Sequence, residues 1–376
     1  MKKMRFETLA IHAGSEVDSD TGAIVTPIHL STTFERDPSG EYSRGFSYSR
    51  SDNPNRRSLE LLMTELEGGE DAAAFGSGSA AAAAVFRSLR PGDHALVPDM
   101  MYHGIRSFLQ QAVVPWGVEL TSVDMTNTHA VADKVRSTTR LVWLETPSNP
   151  SLGITDIRAV ADIAHDAGAV VACDNTWTPP PLQPALTLGA DLAIHASTKY
   201  LAGHGDVMGG IVIARKGVDL FEKIRFLQVN EGAVPSPFDC WLTVRGIKTL
   251  PYRVRAQQDS AKLIALFLDD HACVERVNYP GLEGHPGHEV ARRQMMGFGP
   301  MLSFEVLGGR EEAMRVAANV ELVTRATSLG GIETLIEHRA SIEGVNSPTP
   351  DNLLRLSVGL EHHDDLLADL QKALRK

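Results

Sequence analysis

Along most of the chain, apolar residues come in short runs separated by stretches with a helical rhythm. Leu59, Leu62, Met63 and Leu66 fall at helical spacing behind Pro54, and Gly68-Gly69 closes that segment. The runs Ala72–Phe75, Ala95–Val97, Glu119–Val123, Leu141–Leu144, Ala169–Cys173, Leu192–His195 and Ile211–Ala214 read as strands. Between them lie helical stretches such as Asp156–Ala167, with Thr155 as the expected N-cap and Gly168 at the far end. This alternation predicts an α/β unit: a mainly parallel seven-stranded sheet covered on both faces.

The rhythm changes after Val234-Pro235. A long helical stretch, Tyr252–Asp270, precedes apolar runs at Val274–Tyr279, Met301–Val306 and Leu353–Val358. Further helices are expected near Glu311–Val320 and from Asp364 onward. That order suggests a smaller C-terminal α+β domain. The first 45 or so residues are rich in Ser, Thr, Gly and Pro, show little periodicity and read as an extended N-terminal arm. The expected division is therefore an arm over 1–45, an α/β domain over 46–235 and an α+β domain over 236–376.

Composition narrows the classes. A chain of 376 residues has room for two domains. Its net charge of −11, from 36 Lys+Arg against 47 Asp+Glu, argues against a nucleic-acid backbone as partner. The longest apolar run, Ala80–Phe86, is far shorter than the roughly 20 residues a membrane span needs, so no membrane partner is expected. The charged start, Met1-Lys2-Lys3-Met4-Arg5-Phe6-Glu7, lacks an apolar stretch behind it and does not read as a signal peptide. Cys173, Cys240 and Cys273 form no CxxC and fit a reducing compartment, so a cytoplasmic protein is expected.

In open α/β sheets, ligands sit beyond the carboxyl ends of strands. After Ala72–Phe75 comes Gly76-Ser77-Gly78-Ser79-Ala80, a turn into a helix whose free N–H groups suit a phosphate; it matches neither an ATP P-loop nor a dinucleotide fingerprint. After Ala169–Cys173 comes Asp174, a carboxylate that needs a cationic partner if enclosed. After Leu192–His195 comes Ala196-Ser197-Thr198-Lys199-Tyr200, whose lysine is a candidate Schiff-base nucleophile. A phosphate turn, an aspartate and a lysine at three strand ends are what pyridoxal 5'-phosphate (PLP) requires.

Further stretches carry a resemblance: Thr26-Pro27-Ile28 to Phe34, Tyr48-Ser49-Arg50 with Asn53-Pro54, and Glu145-Thr146-Pro147-Ser148-Asn149-Pro150. They continue with Asp174-Asn175-Thr176, Ser197-Thr198-Lys199-Tyr200 with Gly203-His204, Arg245 to Leu250, Ser328-Leu329-Gly330-Gly331 and Leu354-Arg355-Leu356-Ser357-Val358-Gly359. On these the chain resembles, nearly end to end, the Cys/Met-metabolism PLP enzymes, which include cystathionine γ-synthases, γ-lyases and β-lyases and methionine γ-lyases. The resemblance implies PLP fold type I and a homo-oligomer, usually a tetramer of two active dimers whose arms contact neighbouring subunits. It implies that Lys199 carries the cofactor and then shuttles protons, that Asp174 partners the pyridine nitrogen, and that Tyr102 stacks on the ring and assists proton transfer. Gly78 and Ser79 backbone and the Thr198 hydroxyl become phosphate ligands, and Tyr48 and Arg50 reach a neighbour's phosphate. Arg355 grips the substrate α-carboxylate, a planar bidentate task, with Ser328 and Asn149 lining that site.

Some positions depart from the family pattern. Ala196 stands where many members have Ser, with Ser197 shifted by one, and Ser77-Gly78-Ser79 replaces the usual Ser-Gly-Met turn. Thr327 stands where γ-enzymes often have Glu and some β-lyases Tyr, and Tyr102 is followed by His103-Gly104-Ile105-Arg106. Arg106 has two readings, a surface charge or a reader of a distal substrate carboxylate. Cys173 reads as a buried apolar residue. His204 near Asp206, His285, His288 and His362-His363-Asp364-Asp365 read as surface or helix-start residues, and no metal is expected. The leading reading is γ-elimination or γ-replacement on small amino-acid substrates, cystathionine or an activated homoserine. The alternatives are a cystathionine β-lyase or broad cysteine-conjugate lyase, which Asn175-Thr176-Trp177 resembles, and a non-catalytic PLP-binding regulator.

Overall fold

Twelve strands fall into two sheets in a computed structural model that describes residues 4–344 and 348–375. Met1-Lys2-Lys3 of the charged N-terminal start, residues 345–347 and Lys376 lie outside the described residues. The first sheet is built from β1 (Asp71–Phe75), β2 (His94–Pro98), β3 (Glu119–Val123), β4 (Thr139–Glu145), β5 (Val170–Asp174), β6 (Leu192–His195) and β7 (Gly210–Ala214), in the order β1-β7-β6-β5-β4-β2-β3. Parallel pairs join β3, β2, β4, β5 and β6, while β7 runs antiparallel to both β6 and β1. β1 therefore points the same way as β6, and the chain leaves β1, β2, β4, β5 and β6 on one edge of the sheet.

Both faces of this sheet are covered, which is why its central strands are apolar throughout. Helix Pro54–Glu67 presents Leu59, Leu62, Met63 and Leu66 to one face, joined by Ile157, Val160, Ala161 and Ala164 of helix Ile157–Asp166. On the other face, helix Gly78–Arg87 packs Ala81, Ala82, Val85 and Phe86 beside Trp143, whose ring centre lies 5.0 Å from that of Phe86. Asn53 caps helix Pro54–Glu67 by accepting from Asn55 N–H, and Gly68 ends it at φ +69°. Helix Ile157–Asp166 is capped by Asp156, whose carboxylate accepts from Ala159 N–H at 3.1 Å. Thr155, the expected cap, instead gives its N–H to Thr146 Oγ1.

The second sheet contains β8 (Val274–Asn278), β9 (Met301–Val306), β10 (Thr324–Arg325), β11 (Leu335–His338) and β12 (Leu353–Ser357), in the order β10-β11-β12-β9-β8. Helices Leu250–Asp269, Gly309–Asn319 and His363–Leu374 bury its apolar face through Ala261, Ile264, Leu268, Val316, Leu366 and Leu370. β10 and β11 went unread in the sequence because Thr324-Arg325 and Glu337-His338 interrupt any apolar run. The N-terminal segment holds a short helix, Phe6–His12, and otherwise alternates turns with irregular backbone, with Val17, Ile24, Val25 and Leu30 exposed. No helix among the described residues is long and apolar enough to cross a membrane.

The turn after β6 is held by backbone-to-backbone contact. Helix Pro237–Ile247 lies so close that a Cβ on Gly246 would stand 2.2 Å from Ala202 O. Arg253 donates to Tyr200 O at 2.9 Å and to Gly246 O at 2.8 Å, tying the same turn to the next helix. Gly330, at φ +78°, would place a Cβ 2.8 Å from Tyr200 N. Gly246→Ala is expected to destabilise the protein by about 1–3 kcal/mol, the usual cost of overpacking. Gly284→Ala, where an added Cβ meets nothing within 4 Å, is expected to leave the midpoint nearly unchanged. Paired thermal unfolding of the two variants checks this; equal midpoints would show that the turn yields freely.

Candidate active site

Six strands end on one edge, and the segments that follow five of them, all but β3, help enclose one cavity of about 410 Å³. Nine of the residues singled out from the sequence line it: Gly78, Ser79, Tyr102, Asn149, Asp174, Thr198, Lys199, Ser328 and Arg355. Tyr48 and Arg50 do not. Both are exposed outside this cavity, with Arg50 Cζ 5.7 Å from the Tyr48 ring centre and Arg50 Nη1 donating to Val229 O at 2.8 Å.

Ser77 caps helix Gly78–Arg87, its hydroxyl accepting from Ala80 N–H at 3.0 Å. The Gly78 and Ser79 N–H groups in the first turn have no acceptor among the described residues, so two donors at a helix amino end face the cavity. A Cβ on Gly78 would stand 2.6 Å from Ala196 Cβ, which leaves little room for a larger side chain at 196. Ser197 is buried and packs toward Gly209, away from the cavity lining. The Thr198 hydroxyl accepts from Gly209 N–H at 3.0 Å. Tyr102 precedes helix His103–Phe108, its ring lying over Gly104, where a Cβ would meet it at 2.6 Å.

Asp174 ends β5. Its Oδ1 accepts from Thr176 Oγ1 at 2.6 Å and from Thr176 N–H at 3.1 Å, while no protein donor among the described residues reaches Oδ2. Desolvation pushes this carboxyl above its ordinary range, opposed by the Thr176 hydrogen bonds. Lys199, half-buried, donates from Nζ to Ser328 Oγ at 2.7 Å. Its pKa falls to about 8, first through burial and then through the charge of Arg355. Ser328 holds a left-handed backbone at φ +86°, a strained conformation for a non-glycine residue, and its carbonyl accepts from Arg355 Nη2 at 3.0 Å. Arg355 also donates from Nη1 to Asn149 Oδ1 at 3.1 Å, and the Trp177 ring lies 5.9 Å from its Cζ.

These groups fit PLP. One wall offers two N–H donors without an acceptor among the described residues, suited to a phosphate. Another offers a desolvated carboxylate with one oxygen that no donor among the described residues reaches, and between them stands a lysine amine that is easily made neutral.

Other lining residues carried no role in the sequence reading. Glu145 ends β4 in register with Asp174, accepts from Tyr102 N–H at 2.8 Å and is buried. Desolvation and the nearby Asp174 push its carboxyl well up. The rule that flagged Asp174, a carboxylate closing an apolar strand, applies equally to Glu145. Trp177 follows the same strand as Asp174 and lines the cavity with Thr327. Arg339, just past β11, lines the cavity too, and neither it nor Glu337, which lies outside the lining, had such a signal because β11 was not read. Arg106 is half-buried, donates to Asp99 O at 2.8 Å and is absent from the cavity lining. Cys173 is fully buried. His362, His363 and Asp364 bring ligand atoms within 4.8 Å of one another at the start of the last helix, with His362 and Asp364 exposed.

Known proteins resemble this chain over almost its whole length. A cystathionine γ-synthase of Mycobacterium tuberculosis is 46% identical over 373 residues, covering 98% of this chain and 96% of that protein. A cystathionine γ-lyase of Bacillus subtilis is 42% identical, covering 99% of each. The crystal structure of a cystathionine γ-synthase from Xanthomonas oryzae pv. oryzae, in complex with aminoacrylate and cysteine, superposes with a TM-score of 0.95 at 40% identity, covering 99% of this chain and 98% of that one. The mixed seven-stranded sheet is thus that of the fold-type I PLP enzymes, and the reading as a non-catalytic binder is set aside. The family model for Cys/Met metabolism PLP-dependent enzymes matches residues 7–375, and the chain belongs to that family.

Proposed function

We propose that this enzyme catalyses γ-elimination or γ-replacement on cystathionine or an activated homoserine. The observation that carries this reading is its likeness, over nearly the full length, to proteins named cystathionine γ-synthase and γ-lyase. When bound, PLP supplies an electron sink for the bonds at the substrate's α-carbon. Lys199 would hold its aldehyde carbon, Asp174 its ring nitrogen, Tyr102 its ring face, and Gly78, Ser79 and Thr198 its phosphate.

The chain's own residues then divide the work. Arg355 receives the α-carboxylate in its guanidinium fork, with Asn149 and Ser328 fixing the plane of that fork. Lys199 Nζ, held 2.7 Å from Ser328 Oγ, takes the α-proton; an amine with a pKa of about 8 both accepts and returns a proton near neutral pH. Chemistry at the γ-carbon also needs a β-proton moved, which falls to Lys199 with Tyr102 beside it. The α/β and α+β domains divide near residue 235 in this reading, and the cytoplasm is the proposed compartment, supported by three free cysteines.

The same reading makes the enzyme a homo-oligomer, a tetramer of two active dimers, with Tyr48 and Arg50 serving a neighbour's phosphate. Support comes from their exposure outside their own cavity and from the apolar residues Ile24, Val25 and Leu30 left exposed on the arm.

Incubation with cystathionine is expected to release cysteine and 2-oxobutyrate; homocysteine and pyruvate would establish β-cleavage instead. In cofactor-free protein, Lys199 is protonated below and neutral above a pH of about 8. Competitive acetylation followed by mass spectrometry should therefore give Lys199 a midpoint near 8, against about 10 for exposed lysines. Arg355→Met should raise that midpoint by removing a neighbouring positive charge, and a midpoint like that of a surface lysine counts against the assigned role. Arg50→Ala and Lys199→Ala subunits, each inactive alone, should regain activity when mixed, because one site of a hybrid dimer is then wild type. No activity despite mass-verified subunit exchange refutes the shared site.

A further inference from the structure

The amino-acid end of the cavity holds more charge than one arginine. Glu337 stands opposite Arg355 across the antiparallel pair β11–β12. Its Oε2 accepts from Arg355 Nη2 at 2.7 Å and also from Arg339 Nη1 at 2.9 Å. Arg339 opens the short helix Arg339–Glu343 and donates through Nη2 to Glu343 Oε1 at 2.9 Å. Arg339, Glu337 and Arg355 are all at most 5% exposed, and Arg339 lines the same cavity as Arg355. Glu337 Oε1 is buried without a hydrogen bond, so this carboxylate is held through one oxygen by the two arginines together.

We infer that Arg339 is a positioning residue of the amino-acid site, acting through Glu337 to keep Arg355 aimed at, and charged for, the substrate carboxylate. The inference rests on the proposed role of Arg355. In a low-dielectric wall, a carboxylate 2.7 Å from Arg355 would by itself cancel most of the field that an incoming carboxylate feels. Sharing Glu337 with a second guanidinium divides that cancellation. It also fixes Glu337 between two forks, so that Arg355 keeps the plane set by Asn149 and Ser328. Arg339 touches neither reacting atoms nor Lys199 in this scheme. Its effect should be specific to ligands that carry a carboxylate, and it should vanish when Glu337 loses its charge.

The test uses the PLP-loaded enzyme and two small probes, glycine and methylamine, which differ by the carboxylate; binding is read from the visible spectrum of the cofactor. Arg339→Met should weaken glycine about tenfold more than it weakens methylamine, the scale of coupling within one charged network. Arg339→Lys should restore much of the loss. The double variant Arg339→Met/Glu337→Gln should bind glycine better than Arg339→Met alone; if that single variant folds poorly, the double variant should bind glycine as Glu337→Gln does, and a further loss would overturn the inference. With amino-acid substrates, KM should rise in Arg339→Met while kcat changes little. Equal weakening of both probes, or a double variant worse than Arg339→Met, would overturn the inference. Arg355→Lys separates the two levels of reading. If it leaves glycine binding unchanged, the role of Arg355 itself fails; if it weakens glycine while Arg339→Met does not, only the role of Arg339 fails.

Discussion

The shared direction of six strands, β1 to β6, is the constraint on which the rest depends. β1, β2, β4, β5 and β6 all end on one edge of the sheet, so the segments after them are brought together although they span residues 76 to 199. A parallel sheet needs its faces covered, and the covering helices start at that same edge. Unpaired N–H groups at the start of helix Gly78–Arg87 therefore face the cavity as a consequence of the topology. The acid residues Glu145 and Asp174 meet there for the same reason, as register partners at the ends of adjacent strands.

Electrostatics then differentiates the cavity. At one end, two neighbouring carboxyl groups are lifted by desolvation, and no donor among the described residues reaches the second oxygen of Asp174. At the other, Arg355 and Arg339 face each other across Glu337. Burial first, and then the charge of Arg355, opposed by Glu337, lowers the proton affinity of Lys199 to where an amine works as base and acid. Ser328 links the two demands: its hydroxyl meets Lys199, its carbonyl meets Arg355, and its left-handed backbone makes both contacts from one residue.

The rigidity of this arrangement comes from outside the cavity. The turn that carries Lys199 is packed against the backbone at Gly246 and Gly330 and hydrogen-bonded to buried Arg253. Those contacts join the large sheet to helices Pro237–Ile247 and Leu250–Asp269. Cys240, Val244, Ile247 and Val254 from these helices belong to the apolar core beneath the first sheet. The chain after residue 235 thus supplies both Arg355 and part of the support for Lys199.

What the sequence determined by itself was local: the run of strands and helices, the turn at Gly78, and the polar residues at or just past the ends of apolar strands, Asp174 and Lys199 among them. Periodicity records which face of each element is buried, and a polar residue just past a buried strand is visible without knowing its neighbours. Tertiary structure alone decided the rest. β11 hid behind Glu337, whose polarity makes sense only once Arg355 lies opposite, and His338, whose ring meets Asp351 O. The left-handed turn at Ser328 and the cap at Asp156 rather than Thr155 likewise depend on packing. Arg339 carries no mark in the sequence, and only the fold brings two carboxylates, those of Glu337 and Glu343, within 2.9 Å of it. The physical reason is that a buried charge is tolerated only beside its partner, and partners are set by how strands and helices pack, which local sequence pattern does not encode.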